Sequence, residues 1–263
     1  MASLRARALD GLPELRPGDD LAALILDALG QEPLRGDQVM AIAHKAVSKC
    51  EGALVALSDV HASARARELA AQAGAPAKDP RAVQVVLDQS AEVLRAERGV
   101  LICRTHHGFV CANAGVDASN ASPAGEPETL VVLPRDPDAS ARRIRARLRQ
   151  LTRERHGRGV APAVLVSDSF GRAWRHGQLD VALGLAGMRP LEDWRGRGDA
   201  HGRKLHATWL AVADAAAASA DLARSKDSRE PVVIIEGLER YVTTEDGPGA
   251  AELLRPLEED LFR

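Results

Sequence analysis

Apolar residues recur along this chain in two rhythms, one of helical and one of strand spacing. In "GDDLAALILDALG" (18–30) the helical rhythm is opened by Asp19 and Asp20 and stopped by Gly30, so cap and dipole preferences predict a helix there. "HASARARELAAQAG" (61–74) and "DPRAVQVVLDQSAEVL" (79–94) predict two more, the second with Pro80 at its first position. "DPDASARRIRARLRQLTRERHG" (136–157) predicts another, with Ile144, Leu148 and Leu151 as its inward stripe, and an Ala-rich helix is expected over 206–225. Strand signals fall between these. "DQVMAIAHKAVSK" (37–49) reads as a strand whose polar end, Lys45 to Lys49, emerges from the core. "APAVLVSDS" (161–169) and "PVVIIEGL" (231–238) read as buried strands, and "GVLICRTHHGFVCANAG" (99–115) as a hairpin turning near His107 and Gly108. Strand and helix alternate without a repeat or a long linker. The expectation is a mixed α/β (α/β or α+β) fold, one domain over 1–263 with a smaller lobe near the C-terminal end.

Composition narrows the partners. A chain of 263 residues can bury a core large enough for an enzyme, and a net charge of -2 with 3% aromatic residues gives no global reason to expect nucleic acid. No apolar run approaches the roughly 18 residues of a membrane span, and the start has no apolar core like that of a signal peptide, so a cytoplasmic protein is expected. Cys50, Cys103 and Cys111 have no zinc spacing and suit reduced thiols; Cys103 and Cys111 can face each other across the hairpin as two small buried side chains.

Three polar clusters stand out. Asp168 directly follows "VLVS", at the carboxyl end of a buried strand, where α/β sheets present reactive groups; an Asp capping the next turn is the ordinary alternative. The following stretch, "SDSFGRAWRHGQLD" (167–180), reads as one loop gathering Ser169, Arg172, Arg175, His176, Gln178 and Asp180. In "GFVCANAGVDASN" (108–120), small residues permit close backbone approach to a ligand, while Asp117 and Asn120 offer hard oxygen donors suited to magnesium or manganese; a plain Asx-rich turn is the alternative. Convergence of Asp117 with Asp168 would call for a bridging cation. The third cluster is Lys45, Ser48 and Lys49, with His44 beside them, able to neutralise a polyphosphate or simply be solvated.

Other motifs carry less. No GxxxxGK[ST] loop or properly spaced GxGxxG occurs, and His106 and His107, adjacent on a strand, would point to opposite faces. The arginine-rich helix over 142–158 reads as a solvated face. No Ser/His/Asp arrangement can be assembled from spacing.

Taken together, "GLPELRPGDDLAALI", "HKAVSKCEG", "KDPRAVQVVL", "HGFVCANAGVDASN", "LPRDPDASARRIR", "VSDSFGRAWRHGQLDVALGLAGM" and the Ala-rich stretch before "PVVIIEGL" resemble the coenzyme F420-0:L-glutamate ligase family over nearly the whole chain. The resemblance implies a GTP-dependent amide ligase that adds L-glutamate to coenzyme F420-0, and further γ-linked glutamates by the same reaction. It also implies a non-classical α/β fold forming an intertwined homodimer, with Mg2+ or Mn2+ and a stimulating K+. By resemblance, Leu12, Pro13, Glu14 and Leu15, with His44, Lys49 and Asn120, contact the nucleotide, while Asp117, Asp168 and Ser169 hold metal. Lys49, Arg172 and Arg175, with the two aspartates, are the expected catalytic set, since an acyl-phosphate route needs cations and metal but no side-chain nucleophile.

Some positions depart from the family pattern. His44 stands where many relatives carry Ser or Gln, Leu179 where Thr is usual, Ser225-Lys226 where Gly-Lys is common, and Glu236 where Arg is usual. The end at Arg263 leaves no flavin-binding C-terminal domain, which implies the standalone form. A metal-dependent phosphohydrolase or a noncatalytic GTP-binding paralogue would use the same clusters and stays open.

Overall fold

Strands buried on both faces read as unbroken apolar runs, as 39–43, 163–166 and 232–235 do at the centre of the main sheet. The computed structural model describes residues 3–72, 78–119 and 128–260. It opens with β1 (Arg5–Leu9), α1 (Leu21–Leu29), β2 (Val39–Ala43), α2 (His44–Glu51) and β3 (Leu54–Ala56). Next come α3 (Ala64–Gln72), α4 (Pro80–Asp88), β4 (Ser90–Glu97), β5 (Val100–Thr105), β6 (Val110–Ala112) and β7 (Thr129–Val131). The second half holds α5 (Pro137–His156), β8 (Ala163–Arg172), β9 (Arg175–Ala186), β10 (Leu191–Asp193), β11 (Trp209–Ala211), α6 (Val212–Asp221) and β12 (Val232–Glu236). The architecture is mixed α/β, as expected.

The five-stranded sheet runs β1-β12-β2-β8-β9, with β2 and β8 parallel and the other neighbours antiparallel. Side chains alternate faces with period two. Met40, Ile42, Val164, Val166 and Ile234 therefore meet Ile25 of α1 and Leu148 of α5, while Val39, Ala41, Leu165 and Ile235 meet Ala213, Ala216 and Ala217 of α6. Gly184 shows how close the layers come: a Cβ there would lie 2.2 Å from the Pro137 backbone at the start of α5. A second sheet, β4-β5-β6, packs on α3 and α4 through Leu69, Val83, Val86, Leu101 and Cys103, and β3 pairs with β7.

The end signals act as expected. Asp20 accepts from the Ala23 N–H (3.1 Å), Asp136 accepts from the Ala139 N–H (2.9 Å), Pro80 occupies the first turn of α4, and Gly157 ends α5 in the left-handed region. The hairpin turns where expected, with the Thr105 N–H bonded to the Phe109 carbonyl (2.8 Å), and Cys103 lies opposite Cys111 as buried free thiols. His106 bonds the Asp88 carbonyl and His107 those of Pro134 and Arg135, so the two rings hold different segments.

Four readings are corrected. Only 39–43 of the stretch 37–49 is strand; His44 to Lys49 are helical, with His44, Val47 and Ser48 buried at the i, i+3, i+4 spacing of one helix face and Gly52 closing the helix at φ 71°. The stretch 79–94 is helix only to Asp88, after which Ser90 begins β4. The supposed loop 167–180 is the continuation of β8 into β9, paired as far as Arg172 with Arg175. The Ala-rich helix spans 212–221, its expected front being partly β11. Local composition does not reveal a strand passing directly into a helix or a polar hairpin extending from a sheet.

Candidate functional site

β2 passes into α2 without a loop, and Ala43 at the N-cap makes no side-chain bond to the first N–H groups of the helix. Its parallel neighbour β8 is in register here, with Ala43 opposite Ser167. The start of α2 and Asp168 thus share the carboxyl edge of the β2–β8 parallel pair, where α/β sheets open a crevice. Two consecutive residues of that first turn each meet an aspartate. His44, 1% exposed, brings Nε2 to 3.4 Å from Asp168 Oδ1, and Lys45 Nζ reaches Asp117 Oδ2 at 2.6 Å. The positive end of α2 suits both carboxylates.

Asp117 is fixed by backbone and side chain together. Its N–H and C=O pair with Val131 at 3.0 and 2.8 Å, and its Oδ1 accepts from the Ser119 N–H at 2.6 Å. The approach to it is unusual: Asn113, Ala114 and Gly115 all have left-handed φ, between 51° and 72°. Lys78 Nζ anchors that turn by donating to Asn113 Oδ1 at 3.0 Å. Burial pushes the Asp117 carboxyl up, but hydrogen bonds from Lys45 and Ser119 outweigh it and hold the group below the usual carboxylate range. Asn120 lies outside the described residues. Cys111, beside Asp168, is pushed up to about 12 by burial and then by that charge, so it stays a neutral thiol.

On the other side of α2, Lys49 Nζ meets Glu14 Oε1 at 2.5 Å. This draws the Leu12–Leu15 segment against the helix. Leu15 is in the core with Leu12 packed on it, while Pro13 and Glu14 are exposed.

A group that was only partly legible in the sequence backs Ser169. Asp180 is fully buried, and its oxygens accept from Ser167 Oγ and Ser169 Oγ, each at 2.7 Å, and from Arg224. Lys226 Nζ donates to Ser169 Oγ (2.7 Å) and to Asp221 (2.6 Å). The Ser169 hydroxyl gives its proton to Asp180 and keeps one lone pair open. Arg224 carried no motif; the signal was Asp180 itself, a carboxylate on a buried strand that must find a cation.

Arg172 and Arg175 are not brought to this group. They are exposed on the outer end of the β8–β9 hairpin, four or more residues beyond Asp168, about 13 Å of extended chain. Among the described residues, no three His, Cys, Asp or Glu side chains gather as a metal cluster, and no helix is long and apolar enough to cross a membrane.

A sequence model described as "F420-0:Gamma-glutamyl ligase" matches residues 11–237. The chain belongs to the F420-0:gamma-glutamyl ligase family. The chain is 41% identical over 259 residues to the coenzyme F420:L-glutamate ligase of Methanothermobacter thermautotrophicus, covering 97% of each chain. It is 42% identical over 252 residues to that of Methanopyrus kandleri, covering 95% of this chain and 94% of the relative. To that of Haloarcula marismortui it is 40% identical over 260 residues, covering 97% and 94%. Membership in this ligase family spans every segment that builds the site, from Glu14 to Lys226.

Proposed function

We propose that this chain is a GTP-dependent ligase that joins L-glutamate to coenzyme F420-0 in coenzyme F420 biosynthesis. The observation that carries the reading is the placement of α2, whose first turn meets Asp117 and Asp168 while Lys49, at its far end, meets the Glu14 segment. An amide does not form from a carboxylate and an amine in water without activation. The acceptor carboxylate oxygen attacks the γ-phosphorus, GDP leaves, and an acyl phosphate forms. The glutamate ammonium loses one proton to water, the neutral amine attacks the acyl carbon, and phosphate leaves with the electron pair of the broken C–O bond and takes up the second proton released as the amide forms.

The nucleotide lies against Leu12, Pro13, Glu14 and Leu15 and along α2, where Lys49 exchanges Glu14 for phosphate oxygens; His44 lies at the same end as the metal, and Asn120 completes the contact. Asp117, Asp168 and Ser169, a set of hard oxygen donors, would hold Mg2+ or Mn2+, which would supply positive charge against the phosphates. Lys45 keeps Asp117 ionised and oriented, and K+ is a stimulating ion. Arg172 and Arg175, exposed on the hairpin, supply positive charge for the anionic acceptor. The working form is an intertwined homodimer in the cytoplasm.

Mass spectrometry of coenzyme F420-0 incubated with protein, L-glutamate, GTP and Mg2+ or Mn2+, with each component omitted in turn, tests this reading. Glutamyl products only in the complete mixture are expected, and their distribution gives the tail length. Phosphate released without a glutamyl product would make the chain a phosphohydrolase, and GTP bound but unchanged would make it a noncatalytic paralogue.

A further inference from the structure

Ser48 fixes which ring nitrogen of a buried histidine is held and which is left facing Asp168. Its hydroxyl has one proton, and this goes to the Val132 carbonyl at 2.7 Å. Toward His44 Nδ1, 3.4 Å away, Ser48 Oγ can therefore only accept, which places a proton on Nδ1. The other ring nitrogen, Nε2, faces Asp168 Oδ1 at 3.4 Å, with the imidazole out of water. Nε2 also has no hydrogen-bond partner among the described residues, so the approach to Asp168 is not that of an aligned N–H···O bond.

A cation shared by the two atoms accounts for a buried nitrogen that faces a carboxylate without bonding to it. Donors each about 2.0–2.2 Å from one ion stand about 3.0–3.5 Å apart at octahedral or tetrahedral angles, the separation that His44 and Asp168 already have. Coordination also places the ion off the line joining the donors, which explains the poor hydrogen-bond alignment. The hydrogen bond from Nδ1 to Ser48 sets the tautomer and ring orientation, as such bonds do for metal-binding histidines. We propose that His44 Nε2 is a nitrogen ligand of the divalent ion at Asp168, and that it biases the site toward Mn2+ or Co2+ and away from Mg2+. Imidazole favours these transition ions, whereas Mg2+ prefers a shell of oxygens. The inference rests on the reading of Asp168 as a metal ligand and adds His44 to it.

The test is pulsed EPR of Mn2+ added to the purified protein, with and without GTP, using chain labelled with 15N at histidine. A nitrogen coupling that changes isotope with the labelling is expected, which separates His44 from nitrogen on the guanine. In His44→Gln the coupling should vanish and Mn2+ affinity should fall at least about tenfold, while Mg2+ affinity, read by competition, changes little. The labelling experiment uses the unaltered chain, so it stands whatever the substitution does to folding. Bound Mn2+ that is lost in Asp168→Asn but shows no histidine coupling would overturn the role of His44 and leave the metal reading of Asp168 intact. A coupling that persists in folded His44→Gln would overturn it too. No bound Mn2+ under either condition would overturn both readings.

Discussion

Asp180 on β9 and Arg224, just beyond α6, form an ion pair in which the carboxylate side chain is 0% and the guanidinium 9% exposed. Arg224 also donates to the Pro231 carbonyl at 3.1 Å, so one side chain ties the segment entering β12 to the strand that backs Ser169. Removing one partner of a buried pair leaves the other charge without compensation. Arg224→Ala should lower stability by about 3–5 kcal/mol in urea unfolding, and Arg224→Lys should recover part of it. A loss below about 1 kcal/mol would show that water reaches Asp180 in the mutant.

Asp168 makes fewer structural bonds. Its Oδ1 accepts from the Ser169 N–H at 2.8 Å and faces His44. Asp168→Asn keeps the shape and that acceptor, so urea stability should move by no more than about 1 kcal/mol. Turnover should fall by about 100-fold or more, because an anionic group beside the phosphates is lost. Near-normal turnover at saturating metal would remove Asp168 from the chemistry.

The chemistry of this site was more legible in the sequence than its geometry. Asp168 stood out because a carboxylate closing an apolar strand has a known place in α/β sheets, and the structure puts it on that edge. Lys45, Ser48 and Lys49 were visible as a polar cluster, yet they read as the end of a strand. Apolar content in "VMAIA" reports burial and says nothing about where period two gives way to 3.6. That change of period is what sets His44 and Ser48 on one face, four residues apart, and sends Lys45 toward Asp117. The β8–β9 hairpin was misread for the opposite reason: its outer part is glycine and polar residues around a single facing apolar pair, Phe170 and Leu179, too little alternation to betray a strand. Arg224 was invisible because its partner lies 44 positions away.

The thiols should be unreactive in the native protein. Burial pushes Cys50 up to about 11, reinforced by Asp19 and Glu51, and Cys111 up to about 12. At pH 8 both are neutral, and the thiolate is the nucleophile. Alkylation at pH 8 should be slow in buffer and fast in denaturant, with Cys50, the less buried of the two, modified before Cys111. Rapid native labelling of Cys111 would mean that the β5–β6 hairpin opens readily.

The pairing of Lys45 with Asp117 makes a prediction of sign. The folded carboxyl lies below its ordinary range, so its contribution to stability is present above that range and is lost as pH falls through the lowered value. Burial acts the other way, and only the bonds from Lys45 and Ser119 overcome it. In Lys45→Met burial remains while the nearest cation is gone, so the Asp117 carboxyl should titrate at or above the ordinary value of about 3.9. Carbon-detected NMR of the side-chain carboxyl, in both proteins without added metal, gives the two titrations directly. A carboxyl that stays low in Lys45→Met would assign the effect to the Ser119 amide and the positive end of α2, and would leave Lys45 with no part in keeping Asp117 ionised.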